Sequence, residues 1–247
     1  VGEFERELST NMSSATVTTK PADTRGLAGL SAGDTSVCSV NQTQLIYRGY
    51  EIADLAANAT FEEVSHLLLV GHKPSAEELA AFDAELKAER AIPTEVQREI
   101  IRIANETPDA HPMSVLRTAV SLLSHIDPDC EDNSPAAELR KAMRLLAKIP
   151  TCIGTHQMAL DGKTPVEPDA SLSHAANLLW CMNGVKPGEI AAKVVDVSLI
   201  LYAEHDFNAS TFTTRVATRR PWPSRRTASR AAPTPSTSRT AWDTRTP

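Results

Sequence analysis

From Thr60 to Tyr202 the chain is punctuated as a series of helices, and that punctuation limits what it can fold into. In "TFEEVSHLLLVGHKP", Thr60 stands three residues before Glu63, the reciprocal spacing of a capping box, and Gly71 and Pro74 close the segment. "SAEELAAFDAELKAER" starts from Ser75 and aligns Leu79, Phe82 and Leu86 on one face. "TEVQREIIRIANETP" does the same with Val96, Ile100 and Ile103. "HPMSVLRTAVSLLSHI" sets Pro112 at a first helical position, behind a His111 that can cap or orient the start. "SPAAELRKAMRLLAKIPTCIGTHQMAL" is a long helical stretch that Pro150 is expected to kink or break. "SLSHAANLLWCMNG" ends at Gly184, and "PGEIAAKVVDVSLILYAEH" predicts a last long helix ending at His205.

Before these helices, β-leaning runs at 37–40 and 45–47 with turn formers between them predict a small N-terminal β-ribbon. No stretch carries the pattern of an extended sheet, and no internal repeat is visible. The fold class is mainly α. Aromatic residues make up only 4% of the chain against 41% hydrophobic residues overall, so the core is built from Ala, Leu, Val and Ile.

The ends differ in character from the middle. Residues 1–25 are polar and Ser/Thr-rich, and residues 218–247 contain no Leu, Ile, Val or Phe; both segments read as disordered. This leaves one helical domain at residues 26–217. The net charge of −6 hides an asymmetry, because residues 218–247 hold seven Arg and one Asp. The body is therefore more acidic than the whole, which argues against nucleic acid as its main partner. No apolar run is long enough to span a membrane, and the first twenty residues lack the apolar core of a signal peptide, so a cytoplasmic protein is expected. Cys38, Cys130, Cys152 and Cys181 are widely spaced without a C-x-x-C, the pattern of reduced thiols rather than of a disulfide framework or zinc site.

Known catalytic motifs are mostly absent. "GLAGLSAG" lacks the spacing of a dinucleotide loop, and there is no G-x-S-x-G, P-loop or H-E-x-x-H. The seven histidines show no helical pairing that would clamp a metal. His66 on an apolar helix face and His125 near a helix end read as structural. So does His174, just after Ser173 at a helix start, on spacing alone. His205 is different. Asp206 and Asn208 favour turns, and Asn208 or Ser210 can start another helix, so His205 sits at a corner held by backbone and open on one side. Spacing leaves a site and a structural role both open there.

"AEHDFNASTFTTRV" closely resembles the segment around the first catalytic histidine of citrate synthases, A-E-H-x-x-N-A-S-T-F. "GLAGL", "YRGYEIADLA", "FEEVSHLLLVGHKP", "HPMSVLRTAVSLL", "MRLLAKIP" and "LSHAANLLW" follow the same family in the same order, over roughly residues 25–217. The likeness is to the bacterial citrate synthase and 2-methylcitrate synthase group, with "HPMSV" departing from the commoner H-P-M-D. The resemblance implies condensation of acetyl-CoA with oxaloacetate in the tricarboxylic acid cycle. It also implies a homodimer whose sites lie between an all-helical large domain and a smaller mobile one. It implies no metal and no permanently bound cofactor, with acetyl-CoA as co-substrate.

By motif match, His205 would hydrogen-bond the acetyl carbonyl oxygen as the methyl group is deprotonated. Removing a proton α to a thioester puts charge on that oxygen, and a positioned imidazole stabilises it. The resemblance moves His174 from a structural role to contact with oxaloacetate, and gives Asn208 the task of holding the corner. The rival within the family is 2-methylcitrate synthase, which takes propionyl-CoA. A rival of another class is a non-catalytic helical interaction protein with a basic arm.

Two family elements are missing by motif: the "GPLHGGAN"-type segment with a second histidine, and the later aspartate base with its carboxylate-binding arginines. Where the family continues Ser-Thr-x-x-Asp, this chain reads "TRRPWPSRR". Arg219 to Pro223 can be encoded so that the DNA, read one base back, gives Ser-Thr-Met-Ala. A frameshifted tail is therefore expected, the alternative being a true basic extension. The chain is expected to be truncated and inactive alone.

Overall fold

The computed structural model describes residues 35–40, 44–204 and 210–211. Its architecture starts from a turn. Arg48 and Gly49 both take positive φ, +48° and +93°, the backbone that a two-residue type I′ hairpin requires. Glycine adopts it freely. Arg48 is held in it by its side chain, which donates to Ser36 Oγ at 3.0 Å and to the Leu68 carbonyl at 3.2 Å. The turn pairs β2 (Leu45–Tyr47) with β3 (Tyr50–Glu51), and β1 (Cys38–Val40) lies antiparallel on the other side of β2. The ribbon thus has a third strand beyond the two predicted.

Eight helices follow among the described residues: α1 (Ile52–Asn58), α2 (Phe61–Val70), α3 (Ala76–Ala88), α4 (Thr94–Glu106), α5 (Pro112–Ser124), α6 (Pro135–Leu160), α7 (His174–Asn183) and α8 (Glu189–Tyr202). All belong to one compact unit, Asp34–Asn208. The expected punctuation is in place. Thr60 and Glu63 form the capping box of α2, and Ser75 and Glu78 form another on α3. His111 caps α5 by accepting from the Met113 N–H. Gly184 ends α7 in the left-handed region.

Two expectations are corrected. Pro150 does not break α6, which runs unbroken for 26 residues. Pro150 and its neighbours Thr151 and Cys152 are all buried, and Thr151 Oγ1 donates to the Arg90 carbonyl at 2.7 Å. Packing on both sides of the proline outweighs the one helical hydrogen bond it lacks. The second correction is at α8, which ends at Tyr202, one turn before His205.

Three apolar clusters hold the helices. The first joins the ribbon, α1, α2 and α8 through Tyr47, Leu55, Val64, Leu67 and Ile200. The second packs α4, α5 and α6 through Val96, Ile100, Val115, Ala119, Leu123 and Cys152. The third seats α3 on α6 through Phe82, Leu86, Met143 and Ala147, and Leu146 touches both the first and the third. α6 and α7 meet at Gly154, where an added Cβ would lie 2.5 Å from the Cys181 carbonyl carbon. All four cysteines are free, three of them buried. No helix among the described residues is long and apolar enough to cross a membrane.

Candidate functional site

His205 and Asn208 lie outside the described residues, so what the structure supplies is their approach. α8 carries its apolar residues to Tyr202, and Glu204 follows. There the buried Tyr47 phenol takes hold of the chain. Its O–H reaches the Glu204 carbonyl at 2.8 Å, with the Ile200 carbonyl at 3.3 Å, and its oxygen accepts from the Glu204 N–H at 3.2 Å. The last carbonyls of α8 thus find a partner in a side chain that is 0% exposed. Burial pushes the Tyr47 hydroxyl pKa up from 10, opposed in part by the hydrogen bond to Glu204. The residue preceding His205 is fixed from a strand 157 positions earlier.

His174 is the first residue of α7, after the cap Ser173, whose hydroxyl accepts from the Ala176 N–H. The side chain is 4% exposed, and its ring packs on Phe61 with centroids 5.1 Å apart. Its backbone N–H donates to Glu62 Oε1 at 2.7 Å. Burial first, then the nearby Arg90 charge, push the imidazole pKa down to about 4, so the ring is neutral at pH 7.

Around this ring the N-termini of α2 and α7 converge, and buried carboxylates meet them. Asp196 of α8 accepts from the Phe61 N–H at 2.9 Å and from Lys193 at 3.0 Å. Glu62 belongs to the first turn of α2 and receives the first N–H of α7. Both placements suit the positive end of a helix dipole. Arg90 is buried behind them, donating through Nη1 to the Asp169 and Leu172 carbonyls at 2.7 and 3.0 Å. Asn177 accepts from the Asp169 N–H at 2.9 Å. The loop entering α7 is therefore anchored from three elements. A cavity of about 440 Å³ opens beside it, bordered by Thr60, Glu62, Asp83, Lys87 and Ser173.

The structure places His66 and His125 in the structural positions expected of them. His66 is buried in α2, and His125 is the C-cap of α5. Among the described residues no group of three or more His, Cys, Asp or Glu could hold a metal ion. Sequence reasoning missed Tyr47, Glu62, Arg90 and Asp196. The one available signal was Asp196, an acid inside the apolar run "VVDVSLIL".

The comparisons with known proteins agree on one family. Residues 26–219 match the family described as "Citrate synthase, C-terminal domain". The chain belongs to the citrate synthase family. It is 40% identical to citrate synthase 2 of Bacillus subtilis over 193 residues, covering 78% of this chain and 51% of that protein. It is 43% identical to the 2-methylcitrate synthase of Shewanella oneidensis, covering 77% of this chain and 50% of that one. The crystal structure of citrate synthase from Pyrobaculum aerophilum superposes with a TM-score of 0.70 at 34% identity, covering 76% of this chain and 48% of that one. The chain spans about half the length of the citrate synthase relatives it matches.

Proposed function

We propose that this chain is the ribbon and helical body of an enzyme that condenses acetyl-CoA with oxaloacetate to give citrate and CoA. The family match over residues 26–219 carries this reading. The chemistry it asks of the chain is modest and specific: hold a histidine rigidly at the end of α8 and leave it open on one side. Tyr47 supports that reading by pinning Glu204, the residue before His205. In this proposal His205 hydrogen-bonds the acetyl carbonyl oxygen while charge develops on it. Asn208 holds the corner.

His174 is proposed to serve oxaloacetate as a neutral imidazole at the start of α7. With a pKa pushed down to about 4 it brings a hydrogen bond and no charge. The substrate carboxylates are left to cations outside the described residues. The working enzyme is proposed to be a cytoplasmic homodimer without a permanently bound cofactor, acting neither on nucleic acid nor at a membrane.

The 43% identity to a 2-methylcitrate synthase keeps propionyl-CoA as a second acyl donor. One methylene is worth only about 1–3 kcal/mol in a pocket. The test is a chimera in which residues 1–217 are continued by the second half of the Bacillus subtilis relative. CoA release from acetyl-CoA and from propionyl-CoA, each with oxaloacetate, is then compared. Faster turnover of acetyl-CoA is the expected result. Faster turnover of propionyl-CoA would reassign the donor, and no turnover in a folded dimer would refute the condensation itself.

A further inference from the structure

Asp196 interrupts the apolar face of α8. It lies one and two turns before Ile200 and Ala203, which pack into the core beside Tyr47 and Val64, and it is only 8% exposed. An aliphatic residue would continue that face without desolvating a charge, whereas a buried carboxylate is costly unless its oxygens are met. Both are met. Oδ1 accepts from the Phe61 N–H at 2.9 Å, and Oδ2 lies 3.0 Å from Lys193 Nζ.

Lys193, about one turn back along α8, also reaches the Ala59 carbonyl at 3.5 Å. The pair therefore straddles the joint between α1 and α2. The cation meets the C-cap carbonyl of α1 and the carboxylate meets the first N–H of α2, each the sign that the helix end prefers. Sliding α8 by one turn, about 5.4 Å, would break both contacts. α2 does not need Asp196 in order to begin, because Thr60 and Glu63 already form its capping box.

What Asp196 holds is the first turn of α2, and His174 rests on that turn. The Phe61 ring packs on the imidazole with centroids 5.1 Å apart. Glu62, itself buried, accepts from the His174 N–H through Oε1 at 2.7 Å. The ring and the backbone of His174 are thus seated on two consecutive residues, the first of which is anchored to α8. The end of α8 has a separate fastening, the Tyr47 phenol on Glu204. The approach to His205 and the seat of His174 are therefore set by different contacts.

We infer that, given the role proposed above for His174, Asp196 and Glu62 are positioning residues that hold His174 where oxaloacetate meets it. Asp196 acts through Phe61, and Glu62 through the His174 backbone.

The test compares Asp196→Leu, which removes the acceptor, with Asp196→Asn, whose amide oxygen still accepts from the Phe61 N–H. In the full chain, the His174 imidazole proton resonances, displaced by the Phe61 ring current, should move toward solvent values in Asp196→Leu. They should stay in place in Asp196→Asn, with helicity the same in both. In the chimera, Asp196→Leu should raise the oxaloacetate KM about three- to tenfold with kcat and the acetyl-CoA KM unchanged, and Asp196→Asn should stay within about twofold. Added to His174→Ala, Asp196→Leu should raise that KM no further, because the two residues act in series. A cap that served stability alone would lower the melting temperature and leave the KM untouched. Where Asp196→Leu does not fold, Glu62→Met and Glu62→Gln take the places of the disruptive and conservative variants. Unmoved His174 resonances, an unchanged oxaloacetate KM, a fall in kcat alone, or additive losses in the double variant would each overturn the positioning role. If His174→Ala still raises the KM, those results leave the role of His174 standing. An unchanged KM in His174→Ala itself removes both.

Discussion

Tyr47 and Glu204 clasp each other twice: the phenol donates to the Glu204 carbonyl at 2.8 Å and accepts from its N–H at 3.2 Å. Tyr47→Phe removes both bonds and leaves a backbone N–H without its partner. Stability should drop by about 1–3 kcal/mol, seen as a lower urea midpoint at unchanged slope. Amide exchange at 203–204 should quicken. The raised tyrosine pKa adds a second signature. Above pH 10 the unfolded chain releases this proton before the folded one does, so stability falls as pH climbs from 10 toward the folded value. Tyr47→Phe should lack that decline.

The His174 imidazole is held neutral, its pKa pushed from 6.5 to about 4. Its contribution is therefore complete above 6.5 and is lost as pH falls through the window down to about 4, where only the unfolded chain takes up the proton. A shift of that size corresponds to up to roughly 3 kcal/mol. His156, also depressed by burial, pulls the same way. Denaturant melts of the native chain and His174→Gln at pH 7 and pH 4.5 separate the two. The variant should lose less stability on acidification, and equal losses would show that His174 is not the group titrating.

Gly154 lets α6 and α7 approach until an added Cβ would press into the Cys181 backbone. Gly154→Ala gains helix propensity of about 1 kcal/mol but must separate two buried helices. Overpacking of this kind costs about 1–3 kcal/mol, and the obstacle here is backbone rather than a flexible side chain. A lower melting temperature is expected, and an unchanged or higher one would mean that the helices part without loss.

In the chimera described above, His205→Ala should lower kcat by at least about 10²-fold with helicity unchanged. His174→Ala should chiefly raise the oxaloacetate KM. The reverse split, in which His205→Ala moves the oxaloacetate KM and leaves kcat, would make His205 a substrate-holding residue instead. Residues 1–247 assayed alone should release no CoA above background, because catalytic groups that work as a unit fail as a unit. Turnover above roughly 1 s⁻¹ would overturn that expectation.

What the sequence made legible was local. Thr60, Ser75, Pro112 and Gly184 mark helix ends by chemistry that acts within one turn, and the helices obey them. The unbroken α6 was hidden because Pro150 is a local breaker whose effect is outweighed by distant packing. The short strand Tyr50–Glu51 and helix α1 were missed for a related reason. Neither is long enough to show a period, and both depend on neighbours, β2 and α8 respectively. The polar junction under α7 was invisible because Glu62, Arg90 and Asp196 meet only in three dimensions. Along the chain Glu62 and Arg90 look like ordinary surface charges, and Asp196 stands out only as an acid inside an apolar run.

The clasp between Tyr47 and Glu204 also sets a timetable. Tyr47, Leu55, Val64 and Leu67 form one core with Ile200, so the face they share stays open until α8 has been made. At a synthesis rate of about 5–20 residues per second, the 157 positions between the partners take roughly 10–30 s to appear. Throughout that interval the nascent hairpin and α2 offer an uncovered apolar surface at the ribosome exit, while the α3–α6 and α4–α5–α6 clusters can already close behind them. The ribbon, which precedes the helices, is thus sealed only once α8 has been made.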